Sequence, residues 1–218
     1  QEIDDKNVYW LLLKKHRLES YKNMPSNFHA LECNIKEFTF AEQFKLLRVI
    51  KSLKPDLVHF PMVQQPIFYR DKTVTTMQDL TTLRFINPSK NPIIFWIKQK
   101  IYWLVNYVVV RKSNSLIAIS EYTMKDVIKT MHMNSAKKFT ITYEAADELP
   151  KNNDKVQSLI NKKFIMYVGR HQPHKNLDRL IEAHQELLIN SPDLILAIVG
   201  KKDKTTELLE NKVAQKNY

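Results

Sequence analysis

The chain has 218 residues, 44% of them hydrophobic, and a formal net charge of +11. It can bury a sizeable core, in one large domain or parts of two, and its basic balance favours anionic partners: nucleic acid, membrane phospholipid or a phosphorylated small molecule. Cys33 is the only cysteine, which excludes an internal disulfide and makes a reducing, cytoplasmic compartment the expectation.

The opening QEIDD is neither an initiator methionine nor a signal peptide, so a beginning upstream of Gln1 is expected. In chain order, VYWLLL (8–13) and FHALEC (28–33) read as strands. FAEQFKLLRVIKSLK (40–54) then places apolar residues at helical spacing, and LVHF (57–60) and TVTTM (73–77) are further strands.

PIIFWIKQKIYWLVNYVVVRK (92–112) is the most apolar stretch and nearly long enough to span a bilayer. Lys98, Gln99 and Lys100 in its middle argue against spanning, because such charges cost roughly 3 kcal/mol each at a membrane centre. Ile94, Ile97, Ile101, Leu104, Val105 and Val108 form a helical stripe, which predicts a helix packed on a sheet. Trp96, Tyr102, Trp103 and a basic rim support a second reading, contact with a membrane surface.

SLIAIS (115–120) is a strand, SEYTMKDVIKTMHM (120–133) a helix with Ser120 as its N-cap, and FTITY (139–143) a strand. EAADELPKNNDK (144–155) is polar and proline-bearing and reads as a linker, with Glu144 and Asp147 as hinge or capping residues. Beyond it FIMYV (164–168) is a near-continuous apolar strand, as expected where both faces are buried. NLDRLIEAHQELLIN (176–190) is an amphipathic helix with Leu177, Leu180, Ile181, His184, Leu187 and Leu188 on one side, and LILAIV (194–199) is the next strand. Strands alternating with helices predict parallel βαβ sheets.

Only two glycines occur, Gly169 and Gly200, too far apart for a Gly-x-Gly-x-x-Gly turn, a Walker A loop or a Gly-x-Ser-x-Gly elbow. There is no Asp-x-Asp pair to hold a metal, and His171 with His174 falls short of the three or four ligands zinc needs. The loop in YVGRHQPHKN (167–176) stands at the carboxyl end of a strand, where ligands of parallel sheets bind. Gly169 admits close backbone approach, Arg170 and Lys175 supply cations for phosphate oxygens, and Asn176 is placed as the helix N-cap. A turn whose charges merely face water is the alternative from the residues alone.

YVGRHQPHKNLDRLIEAHQELLINSPDLILAIVGKKD resembles the opening of the C-terminal domain of family 4 retaining glycosyltransferases, enzymes of the GT-B fold. PDLVHFP (55–61), VTTMQDLTTLRF (74–85), SLIAISEYTMKDVI (115–128) and FTITYEAAD (139–147) resemble successive segments of the N-terminal domain of that family, in the same order. The resemblance implies parts of two Rossmann-like parallel-sheet domains around a cleft. Residues 1–147 correspond to most of the acceptor-side domain without its start, and 148–218 to the beginning of the donor domain. The Arg and Lys of the family's GRxxPHKN, here Arg170 and Lys175, bind the diphosphate of a nucleotide sugar, with Gly169 beside them. Ser120 and Glu121 open a helix whose N-terminus faces the cleft in the family. Where the family commonly has His-Asp, this chain has Gln78 and Asp79. Gln78 can hydrogen-bond a hydroxyl but cannot carry a proton charge. Asp79 is the catalytic candidate, to orient substrate or brace the loop, with a turn residue bonding backbone N–H groups as the alternative.

The implied activity is transfer of a sugar from a nucleotide-diphosphate donor, GDP-mannose in type, to a glycan or lipid-linked acceptor, with retention, no cofactor and no metal. The family's glycine-rich acceptor loop and Glu-x7-Glu motif are not among these residues, so the chain alone is expected to be inactive. The expected place is the cytoplasm, at the inner face of the membrane, with peripheral membrane contact. A degenerate nucleotide-sugar-binding protein is the alternative. A nucleic-acid binder ranks last, because the basic residues are dispersed.

Overall fold

The computed structural model describes residues 4–21, 23–36, 39–85, 92–146 and 156–215. Its sheets are all parallel, so the fold is mixed α/β. The chain divides into two compact units, one of Gln1–Asp79 with Trp103–Glu144, the other of Leu80–Tyr102 with Ala145–Tyr218.

In the first unit, β1 (Tyr9–Leu13) pairs with β2 (Phe28–Glu32) as a separate two-stranded sheet. The main sheet has the order β3 (Val58–Phe60), β4 (Thr73–Met77), β5 (Ser115–Ala118) and β6 (Phe139–Ile141). Its centre is β4, where β-branched residues suit a strand and Thr73, Thr75 and Met77 are buried in alternation. Burying threonines requires partners for their hydroxyls. Gln65 Nε2 donates to Thr75 Oγ1 at 3.0 Å, and Ser113 Oγ lies 2.9 Å from the same oxygen. Asn114 fixes the entry to β5: its Oδ1 accepts from Thr73 N at 2.9 Å while its own N donates to Thr73 O at 3.0 Å.

The stretch 40–54 is helical but not uniformly so: Glu42–Leu46 is a π-helical turn that runs on into α1 (Leu47–Leu53). α1 sets Ile50 against Phe60 and Tyr69, with Leu12, Leu46, Leu47 and Val58 around them. On the other flank, α4 (Glu121–Thr130) buries Thr123 and Val127.

The second unit holds α2 (Thr81–Arg84), the start of α3 (Pro92–Lys112), β7 (Phe164–Val168), α5 (Leu177–Leu188), β8 (Ile195–Val199) and α6 (Lys204–Gln215). Strands β7 and β8 pair in register, Phe164 with Ile195 through Val168 with Val199. α5 buries Leu177 and Ile181, and the His184 Nε2–H donates to Leu194 O at 2.9 Å, pinning the helix to the start of β8. Leu187, expected on the packed side, is exposed.

Two expectations about burial do not hold. β7 is not covered on both faces: Phe164, Ile165, Met166 and Val168 are all exposed, Val168 by 67%. An apolar run encodes a capacity for burial, but the cover must come from other elements, and a two-stranded sheet has few. Likewise the α3 stripe is not packed. Ile94, Ile97, Ile101 and Leu104 are exposed, and the helix is buried only at Asn106, Val109 and Val110 near its C-terminal end. There Arg111 donates to Met131 O at 3.0 Å and Lys112 to Pro66 O at 2.8 Å. Burial, followed by the nearby Arg70, pushes the Lys112 ammonium down to about 8. Of the 144–155 linker, 147–155 lies outside the described residues, Asp147 included; Glu144 is exposed at the end of the first unit.

Candidate functional site

The second unit presents the loop that the sequence singles out. β7 ends at Val168, and the next residue, Gly169, donates to Val199 O at 2.9 Å, so the strand pairing persists to the loop's first residue. Gly169 has φ +157, a conformation side-chain-bearing residues rarely adopt. The Tyr167 hydroxyl then closes over the turn by donating to Arg170 O at 3.0 Å. Pro173–Lys175 form a short 3-10 turn, in which Lys175 N donates to Gln172 O at 2.9 Å. The loop delivers Arg170, ahead of the turn, and Lys175, its last residue, to the surface, both exposed.

Asn176 occupies the N-cap position of α5 as expected, yet it does not cap. It is left-handed, at φ 52 and ψ 46, and its side chain makes no hydrogen bond to the first turn. A left-handed N-cap points the side chain away from the N–H groups an extended cap would serve. The first turn of α5 therefore keeps its N–H groups uncapped by Asn176, beside two cations. This is the local chemistry an anionic oxygen needs.

The sequence reading missed what lies behind the loop. Gly200, directly after β8, faces Gly169 across the sheet: a Cβ on Gly200 would sit 2.1 Å from Gly169 O and 2.9 Å from His171 Nε2. The only two glycines of the chain thus form one packed pair. The spacing of 31 residues conceals this, and the sole sequence signal is that each glycine ends an apolar strand. His171 is only 5% exposed, with Nδ1 2.8 Å from Thr206 Oγ1. Gln172 Nε2 donates to Asp203 Oδ2 at 3.2 Å. Asp203 caps α6 by accepting from Thr205 N and Thr206 N at 2.9 and 3.2 Å. Desolvation works to raise the Asp203 carboxyl, but these N–H groups and the nearby His171 outweigh it and hold the group below its usual value. The loop is thus braced from beneath by the β8–α6 turn.

The remaining candidates sit in the first unit, at the carboxyl ends of β4 and β5. Gln78 and Asp79 follow β4 and are exposed. Gln78 Nε2 donates to Pro61 O at 3.3 Å, and its own carbonyl accepts from Thr123 Oγ1 at 3.1 Å, which ties the β4 end to the first turn of α4. Ser120 is a true N-cap, extended at φ −161, its Oγ accepting from Thr123 N at 3.1 Å. Glu121 pairs with Lys125 at 3.2 Å on the helix surface. The structure therefore brings Gln78, Asp79 and Ser120 to one sheet end and Gly169, Arg170 and Lys175 to another, each set within its own unit. Among the described residues no three His, Cys, Asp or Glu side chains converge as a metal requires. His174 is instead 5.4 Å from the Phe85 ring.

Residues 150–217 match the family model of group 1 glycosyl transferases, and that segment contains β7, the loop, α5, β8 and α6. Among solved structures, a co-structure of S. aureus MnaA with UDP is similar at 16% identity and a TM-score of 0.48, over 90% of this chain and 54% of that one. The chain spans about half the length of that neighbour. No curated protein matches it in sequence.

Proposed function

We propose that the chain is part of a group 1 glycosyltransferase of GT-B type, moving a sugar from a nucleotide-diphosphate donor to a glycan or lipid-linked acceptor. The observation that carries this reading is the 169–176 loop: exposed Arg170 and Lys175 lie on a turn that runs into a helix whose N-cap side chain takes none of its N–H groups, inside the segment that matches the family. Such a cradle suits a diphosphate, whose charge grows as the sugar departs, so it serves the leaving group more than the ground state. Retention of configuration, a GDP-mannose-type donor and action without metal follow from the resemblance. Asp79 is the residue assigned to the reacting sugar, with Gln78, Ser120 and Glu121 near the donor. Gln78 favours a second reading, a nucleotide-sugar-binding protein that has lost turnover, because an amide cannot relay a proton.

Calorimetric titration with GDP- and UDP-sugars tests the cradle. Arg170→Ala and Lys175→Ala should each weaken donor binding by about ten- to a hundredfold, the value of a hydrogen bond to a charged group. Unchanged affinity in both variants would overturn the assignment. Binding without sugar transfer, in a protein carrying both complete domains, would select the second reading.

A further inference from the structure

The turn between β8 and α6 begins as the loop between β7 and α5 does. Each follows an apolar strand with a glycine and then a cation, Arg170 after Gly169 and Lys201 after Gly200. The two glycines are register neighbours, because Val168 pairs with Val199 and Gly169 N donates to Val199 O at 2.9 Å. Three further contacts hold the loops edge to edge. A Cβ on Gly200 would sit 2.1 Å from Gly169 O, His171 Nδ1 lies 2.8 Å from Thr206 Oγ1, and Gln172 Nε2 donates to Asp203 Oδ2 at 3.2 Å. Lys212 Nζ donates to both Asp178 carboxylate oxygens at 3.1 Å, which sets α6 beside α5.

The charged groups of the β8–α6 turn are not equivalent. Lys202 is tied to Glu210 at 2.6 Å, and the Asp203 carboxylate is turned onto Thr205 N, Thr206 N and Gln172. Asp203 thereby closes the start of α6, so the helix end offers nothing to an anion. Lys201 does: it is exposed and has no hydrogen bond or ion pair among the described residues. Beneath the glycines lies an unanswered polar atom as well. His171 is 5% exposed, and its Nε2, 2.9 Å from the Cβ position of Gly200, has no partner among the described residues. Buried polar atoms are satisfied in nearly all folded proteins, and a bare one at the carboxyl ends of parallel strands stands where ligands of such sheets bind.

We propose that residues 200–203 form the second wall of the anion site and that Lys201 is its cation, so that the site selects a nucleoside diphosphate over a monophosphate. Arg170 and Lys175 hold one phosphate and Lys201 takes the other. Neighbouring strands lie about 4.8 Å apart, so a ligand seated on the first loop reaches the second with its next phosphate. Lysine suits that task, because a point charge on a flexible stem can follow an oxygen that no rigid fork fixes. The glycine pair keeps both backbones low enough for one ligand to lie across them. This inference rests on the reading of the 169–176 loop as a diphosphate cradle and adds to it the choice between one phosphate and two.

Calorimetric titration of the full chain with GDP and UDP, against GMP and UMP at fixed ionic strength, tests it. The better diphosphate is expected to bind about tenfold more tightly than its monophosphate. Lys201→Gln should weaken diphosphate binding by about tenfold and change monophosphate binding by less than about twofold. Lys201→Arg should keep most of the affinity. Lys202→Gln, which removes an equal charge one residue away, should change neither. Both lysines are exposed, and circular dichroism confirms that each variant folds. Unchanged diphosphate affinity in Lys201→Gln, with losses in Arg170→Ala and Lys175→Ala, would overturn this inference and leave the cradle standing. Unchanged affinity in all three, or no diphosphate binding by the unmodified chain, would overturn both. Equal losses in Lys201→Gln and Lys202→Gln, or equal losses for mono- and diphosphates, would reduce Lys201 to a general charge effect and overturn the inference.

Discussion

Two helices of this protein begin at the carboxyl ends of parallel strands, and their N-termini are built in opposite ways. α4 starts behind an extended Ser120 whose hydroxyl takes the Thr123 N–H, while Thr123 reaches back to the Gln78 carbonyl, so the turn is closed on itself. α5 starts behind a left-handed Asn176 that takes none of its N–H groups, with Arg170 and Lys175 in the loop before it. The same partial positive charge stands at both ends. At α4 the N-cap side chain takes part in internal order; at α5 the N-cap side chain takes no N–H group, and Asp178 stands in the first turn. A helix N-terminus is therefore not in itself an anion site, and the N-cap backbone conformation decides which kind it is.

The comparison can be broken most severely behind the α5 loop. Gly200→Ala places a methyl 2.1 Å from the Gly169 carbonyl oxygen, where backbone must move. Loss of about 1–3 kcal/mol of stability is expected, together with loss of nucleotide-sugar binding; denaturant melts and calorimetry read the two effects. If only stability falls, the glycine pair is a packing detail unconnected to the cradle. Ser120→Ala should cost about 1 kcal/mol of stability through the lost cap and weaken donor binding much less than Arg170→Ala or Lys175→Ala. A loss of donor binding as large as theirs would mean that the α4 terminus is not the closed one. The smallest effect concerns Asn176. Replacement by Gly suits the left-handed backbone and should be close to neutral, whereas Asn176→Ala should destabilise by about 1 kcal/mol. Asn176→Ser separates this from an N-cap role: a capping position would accept serine at almost no cost, whereas the left-handed backbone makes serine cost about as much as alanine, read by thermal melts.

The strands were legible in the sequence because local patterns encode them. TVTTM and FIMYV coincide with β4 and β7 residue for residue, and the other runs differ only by a residue or two at their ends. Ser120 was legible as a cap because its preference is local as well. The Arg170 and Lys175 loop was legible by resemblance, and the strand–loop–helix context around it is present. What misled was the step from apolarity to burial in two segments. The FIMYV strand and the 92–112 stripe carry the right residues for a core, yet each is largely exposed, because cover depends on elements distant in sequence.

By itself the sequence determined the parallel α/β grammar, the placing of the cations after a strand, and the absence of any glycine-rich phosphate loop. Those follow from periodicity and residue type, which act over a few residues. Only the tertiary structure decided that Gly169 and Gly200 meet, that His171 is buried against Thr206, that Asn176 turns left-handed, and that one face of α3 is bare. Each of these depends on which strands become neighbours and what packs over them, a choice made by long-range contacts that no local pattern carries.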